Sequence, residues 1–71
     1  MWLGRWSKEL SMLYEGYLEV FDREPDCYEE IDYDGISYND FVKCLKKSVI
    51  QCIPFPDSVE HTIRGFKFKK L

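Results

Sequence analysis

From Ser37 to Cys52 the chain reads SYNDFVKCLKKSVIQC, and this stretch most limits what the fold can be. Tyr38, Phe41, Val42, Leu45, Val49 and Cys52 recur at intervals of three and four, so a helix gathers them on one face. Lys43, Lys46, Lys47 and Gln51 fall mostly on the other side. Ser37 is placed to cap the first turn with its hydroxyl, with Asp40 as a short version of a capping-box partner. Asn39 and Asp40 set polar and acidic groups at the positive end of the helix dipole. Pro54 and Pro56 end the helix, because proline offers no amide and disfavours helix in the residue before it. A helix with one apolar face needs other elements to cover it.

The earlier part of the chain supplies the first cover. Leu3, Trp6, Leu10, Leu13, Tyr17 and Val20 or Phe21 recur at helical spacing, and Met12, Tyr14 and Leu18 widen the stripe. They predict a long helix over roughly 2–21, or one starting only near Ser7, with Gly4 weakening its start. Gly16 lies inside this helix, at a cost of about 1 kcal/mol relative to alanine, and reads as a point of close approach for another helix. The link from Asp22 to Gly35 is closed off by Pro25 and carries an Asp34-Gly35 turn signal. Cys27, Tyr28 and Ile31 are expected to form a short helical turn tucked between the two helices. After Ile53-Pro54-Phe55-Pro56, Asp57 or Ser58 caps a short third helix to about Arg64, with Val59 and Ile63 inward and Gly65 at its end. The final FKFKKL alternates apolar and basic residues and reads as a strand, an edge segment or a tail. The expectation is an all-α fold, one small helical domain over 1–71. A long N-terminal helix packs on a second helix at about 37–52, and a short C-terminal helix or strand closes the core. The expected core is Trp6, Leu10, Leu13, Tyr17, Phe21, Phe41, Leu45, Val49 and Ile63.

A chain of 71 residues is a marginal size for such a core, since a domain this small buries only about 60% of its unfolded surface. Five Tyr, five Phe and two Trp offset that, each burying a large area in a core or serving an interface. Three cysteines at irregular spacing do not make a paired disulfide framework, so free thiols and a cytoplasmic, reducing setting are expected. No run approaches the ~18 apolar residues of a membrane span, and no apolar signal-peptide core opens the chain. No membrane partner is expected.

Net charge is only −3, but it is divided along the chain. From Glu15 to Asp34 nine acids face Arg23 alone, a local balance of −8. From Lys43 to Leu71 seven Lys and Arg face Asp57 and Glu60, a balance of +5. The acidic stretch offers a surface of Glu19, Asp22, Asp26, Glu29, Glu30, Asp32 and Asp34, with Tyr28 and Tyr33 as its aromatic contacts and Tyr14 and Tyr17 nearby. Such a surface can stand in for nucleic-acid phosphates before a basic protein. The basic half offers the opposite reading, with Lys43, Lys46, Lys47, Lys67, Lys69 and Lys70 contacting phosphates and Phe66 and Phe68 stacking on single-stranded bases. Against it stand the acidic total and the option that the two halves pair internally.

Two metal readings suggest themselves and fail on spacing. With Gly35 at the turn position of a calcium loop, Glu30, Asp32 and Asp34 take the first ligand places. The twelfth position, which needs a bidentate glutamate, is Phe41, with Asp40 one residue early. Cys27, Cys44, Cys52 and His61 are zinc-ligand types without a close Cys-Cys pair. Cys44 and Cys52 read as small apolar groups on the helix face. No phosphate loop, HExxH helix or serine elbow occurs, and nothing marks a nucleophile for His61. Neither a cofactor nor catalysis is expected.

The pattern LYEGYLEVF followed by PDCYEEIDYDGISYNDFVKCLKKSV resembles small uncharacterised proteins of low-GC Gram-positive bacteria and their phages over about residues 13–57. Those share a Tyr-rich first helix, an acidic Asp-Tyr-Asp link and a second helix ending near a proline. Some small acidic phage proteins inhibit host defence or host nucleic-acid enzymes, and the resemblance implies that class while assigning no residue a role. The leading expectation is therefore a non-catalytic protein-binding module, an inhibitor docking through the acidic, Tyr-rich surface. Self-association through spare aromatic area is a further option. The alternatives are a nucleic-acid binder using the basic half and a structural or oligomerising protein.

Overall fold

The computed structural model describes residues 2–69, so Lys70, one of the basic residues singled out above, lies outside the described residues. Among the described residues there are helices and no strands: α1 (Lys8–Phe21), α2 (Tyr38–Gln51) and α3 (Asp57–Thr62). A single 3-10 turn (Tyr33–Gly35) lies in the link between α1 and α2. The fold is all-α, and α2 packs against both α1 and α3. The C-terminal closing element is the short helix α3, and residues 66–69 follow it as irregular chain.

Helix boundaries follow side-chain chemistry. Ser7 caps α1, its Oγ accepting from the Leu10 amide at 3.1 Å. The helix thus begins near Ser7 and not at residue 2, since the hydroxyl takes an amide that would otherwise be unpaired. Asp22 ends α1 in the left-handed region at φ 53°, donating its amide to Leu18. Ser37 caps α2 by accepting from the Asp40 amide at 3.2 Å. Cys52 ends α2 at φ 57°. α3 starts after Pro56, without a side-chain cap, and stops at Thr62 instead of Arg64, with Gly65 beyond it at φ 76°. The expected helical turn of Cys27, Tyr28 and Ile31 is a single hydrogen-bonded turn from Ile31 N to Tyr28 O. The 3-10 segment falls further on, where the Asp32 side chain accepts from Asp34 N.

The core forms between α1 and α2 and is closed by the irregular segments. Leu10, Tyr17, Phe41 and Leu45 are buried as expected, and Leu13, Phe21, Val49 and Ile63 pack half-buried against them. Trp6 is a correction. It is 47% exposed, and Trp2 takes the interior place, its ring stacked on Phe41 with centroids 4.2 Å apart. Because the chain before Ser7 is not helical, helical spacing does not govern which tryptophan turns inward. The Trp2 indole donates to the Arg5 carbonyl at 3.0 Å, folding residues 2–5 back on themselves. A Cβ at Gly4 would lie 2.5 Å from the Trp2 ring, so the close approach requires glycine. Gly16 does face α2, its missing Cβ pointing at the Val49 methyls at 3.6 Å.

The link and the turn after α2 contribute more core than their irregular character suggests. Tyr28, Ile31, Tyr33, Ile36 and Phe55 are all buried. The Phe55–Pro56 peptide bond is cis. Phe55 packs edge-on against Tyr17 and Phe41 at centroid distances of 5.2 and 6.0 Å. α2 and α3 each carry a buried serine beside their apolar core residues. Ser48 and Ser58 are fully buried, and their hydroxyls, with that of Thr62, have no hydrogen-bond partner among the described residues. Burial pushes the Cys44 thiol up to about 11, with the Thr62 hydroxyl working the other way.

Candidate functional site

The link at 22–36 lies folded against the chain before α1. Tyr33 holds it from inside: its hydroxyl donates to Pro25 O at 2.8 Å and accepts from Tyr28 N at 3.1 Å. Tyr17 reaches from α1 to the same region. Its hydroxyl shares a 2.6 Å bond with the Tyr28 hydroxyl and accepts the Phe55 amide at 2.9 Å. One phenol thus ties α1, the link and the turn after α2. Burial first, and the bond to the Tyr28 hydroxyl second, raise the pKa of Tyr17, with the Phe55 amide working the other way, and burial raises that of Tyr33. Both stay neutral donors and acceptors through the physiological range.

Asp26 makes the second tie. It is 7% exposed and accepts from the Trp2 amide at 3.3 Å and the Tyr14 hydroxyl at 3.0 Å. Tyr14 in turn has its pKa raised by burial and by the neighbouring carboxylates of Asp26 and Glu24. Three residues expected on a partner-facing surface are therefore interior. Tyr28 and Tyr33 are buried because their backbone and hydroxyl groups satisfy one another inside the link, and Asp26 because it anchors the N-terminal segment. Glu19, Asp22, Glu29, Asp32 and Asp34 are exposed and Glu30 is half-buried, so the rest of the acidic set does lie at the surface.

Two open clefts flank this link. One, of about 370 Å³, is lined by Leu3 and Ile31 and walled by Glu29, Asp32 and Asp34, with Lys69 at its edge. The other, of about 720 Å³, has Trp2, Leu3, Trp6 and Tyr14 as its apolar lining, with Glu24 and Asp26 beside them. Both are lined by Leu3 and Cys27, so the clefts adjoin. Leu3 is 76% exposed there, and the Trp6 ring leans on Tyr14 at 5.5 Å. Helical spacing put Leu3 and Trp6 on the inward stripe of α1. The Ser7 cap puts both outside the helix, where helical spacing no longer says which side chains turn inward. Beside the clefts, Arg23 lies 4.2 Å over the Tyr28 ring and donates from Nε to the exposed Cys27 Sγ at 3.3 Å, a bond that raises the arginine's pKa.

The candidate basic residues lie on two elements, α2 and the C-terminal segment. Lys46 pairs with Glu9 of α1 at 3.8 Å. Lys43 is exposed and Lys47 half-buried on the same helix. The C-terminal segment returns to the acidic link, where the Lys69 amide donates to Glu30 O at 2.8 Å. Phe66 and Phe68 are half-buried against the core, with their rings 5.0 Å apart, while Lys67 stays exposed. Stacking on bases would require those two rings to leave the core.

Glu30, Asp32 and Asp34 form no metal-holding group with other His, Cys, Asp or Glu side chains among the described residues. Cys27, Cys44 and Cys52 are free thiols, Cys44 buried and the other two exposed. Among the described residues no helix is long and apolar enough to cross a membrane. No protein family, curated protein or solved structure matches the chain.

Proposed function

We propose that this protein is a non-catalytic binding module that docks a basic protein through the face formed by the acidic link and the chain before α1. The observation that carries the reading is the pairing of the two adjoining clefts. One has carboxylates of Glu29, Asp32 and Asp34 on its wall, and the other has exposed Leu3 and Trp6 on its floor. A central apolar patch beside charged groups is how protein interfaces divide affinity from steering. The face is also held in shape before any partner arrives, since Tyr17, Tyr33 and Asp26 fix the link from beneath. Preorganisation lowers the entropy lost on docking. In the form that the resemblance to small phage proteins implies, the module is an inhibitor that covers a nucleic-acid-binding surface of its target. Cytoplasmic action suits its free thiols.

The test is a pull-down from source-cell lysate with and without nuclease, scored for protein and nucleic acid. The expected result is a basic protein retained after nuclease. Recovery of nucleic acid that binds the purified chain directly would replace this reading with the basic-half alternative. Recovery of the bait alone, with a dimer in solution, would favour the oligomerising one.

A further inference from the structure

The two clefts meet at Leu3 and Cys27, yet their chemistry differs. Each has a volume in the range of clefts that accept ligands, about 300–1,000 Å³. The acidic one already has a lysine in its lining, Lys69, whose amide donates to the Glu30 carbonyl. The apolar one is filled by no side chain among the described residues, and it leaves Leu3 and Trp6 open to solvent. Leu3 and Trp6 precede the Ser7 cap, so helix formation does not account for keeping them there. Resting on the docking face proposed above, we infer that the two clefts form one groove for an extended basic segment of the partner. A Lys or Arg of that segment enters between Glu29, Asp32 and Asp34, and one large aliphatic or aromatic residue lies between Leu3, Trp6 and Tyr14. Charge complementarity selects the segment, and the apolar residue supplies most of the affinity.

Two synthetic decapeptides test this, both rich in lysine on a Gly/Ser background and one carrying a central leucine. Binding is followed by the fluorescence of the tryptophans, with calorimetry as a second readout. The leucine peptide is expected to bind about tenfold more tightly or better, the worth of burying one such side chain. Trp6→Ala should remove that advantage and leave the all-basic peptide unaffected. Leu3→Ser, at a position 76% exposed, repeats the test where folding is not in question. Equal affinity for both peptides, lost on Glu29→Lys/Asp34→Lys, would overturn the two-part groove and leave the acidic docking face standing. Binding of neither peptide up to millimolar concentration would overturn both.

Discussion

At the scale of single residues, the hydroxyl groups divide into those that hold the fold and those that do not. Tyr17 serves a buried amide and a second phenol at once. Tyr17→Phe leaves the Phe55 amide unpaired in the interior and should cost about 1–3 kcal/mol in urea unfolding. Ser48 is equally buried but has no partner among the described residues, so Ser48→Ala should be neutral or stabilising in the same assay. The raised pKa values fix the sign of the alkaline response. Cys44 goes from 9.0 to about 11, and Tyr14, Tyr17 and Tyr33 all titrate above the ordinary 10.0. The folded state therefore holds these protons more tightly than the unfolded chain does. Their contribution is fully present below about pH 9 and is lost as pH rises through the folded-state values. The urea midpoint should hold level from neutral pH to about 8.5 and fall between about 9 and 11; a level midpoint across that range contradicts the buried phenols. The sequence placed Tyr17 in the core through its helical spacing but put Tyr33 on the surface. A tyrosine beside aspartates reads as surface, and only the fold shows that its hydroxyl answers a buried backbone group.

At the scale of elements, the helices were legible because periodicity and caps agree. Ser7, Ser37 and the prolines after Cys52 mark ends that the structure keeps. The link was legible only in part: Ile31 and Tyr28 tuck inward as the expected turn implies, Cys27 does not, and no period marked Tyr33 and Ile36 as inward. The same gap explains Trp2 and Trp6, which lie on chain that no helix organises. Two glycine changes probe the helices with opposite substitutions. Gly16→Ala places a methyl at ordinary contact distance from Val49, so the helix gains about 1 kcal/mol of propensity without a clash and its melting temperature should rise. Cys52→Gly relieves a left-handed C-terminal residue that carries a Cβ, and should stabilise by about 1 kcal/mol. Loss of stability in the first variant would mean that the α1–α2 crossing is tighter than 3.6 Å implies.

At the scale of the whole molecule, the accessible surface of 4805 Å² is close to the roughly 4,700 Å² of a folded monomer of this mass. The radius of gyration, 10.9 Å, is likewise that of a compact chain, about 11 Å. Leu3, Trp6, Met12, Leu18, Val20 and Ile50 are left exposed after folding. The two charged stretches are not ion-paired to each other among the described residues: Lys46 meets Glu9, ahead of the acidic stretch, and the C-terminal segment meets the link through a backbone bond. Among the described residues Glu29, Asp32 and Asp34 make no ion pair, although Lys69 lines the same cleft. The measurement that tests the account most directly is partner binding by the variant Glu29→Lys/Asp32→Asn/Asp34→Lys. The asparagine introduced at position 32 keeps a side-chain acceptor for the amide of residue 34. The account predicts an unchanged melting temperature, loss of the nuclease-resistant basic partner, and, in the parent protein, binding that weakens as salt rises. A partner retained in full by that folded variant, but lost on Lys43→Ala/Lys67→Ala, would contradict it.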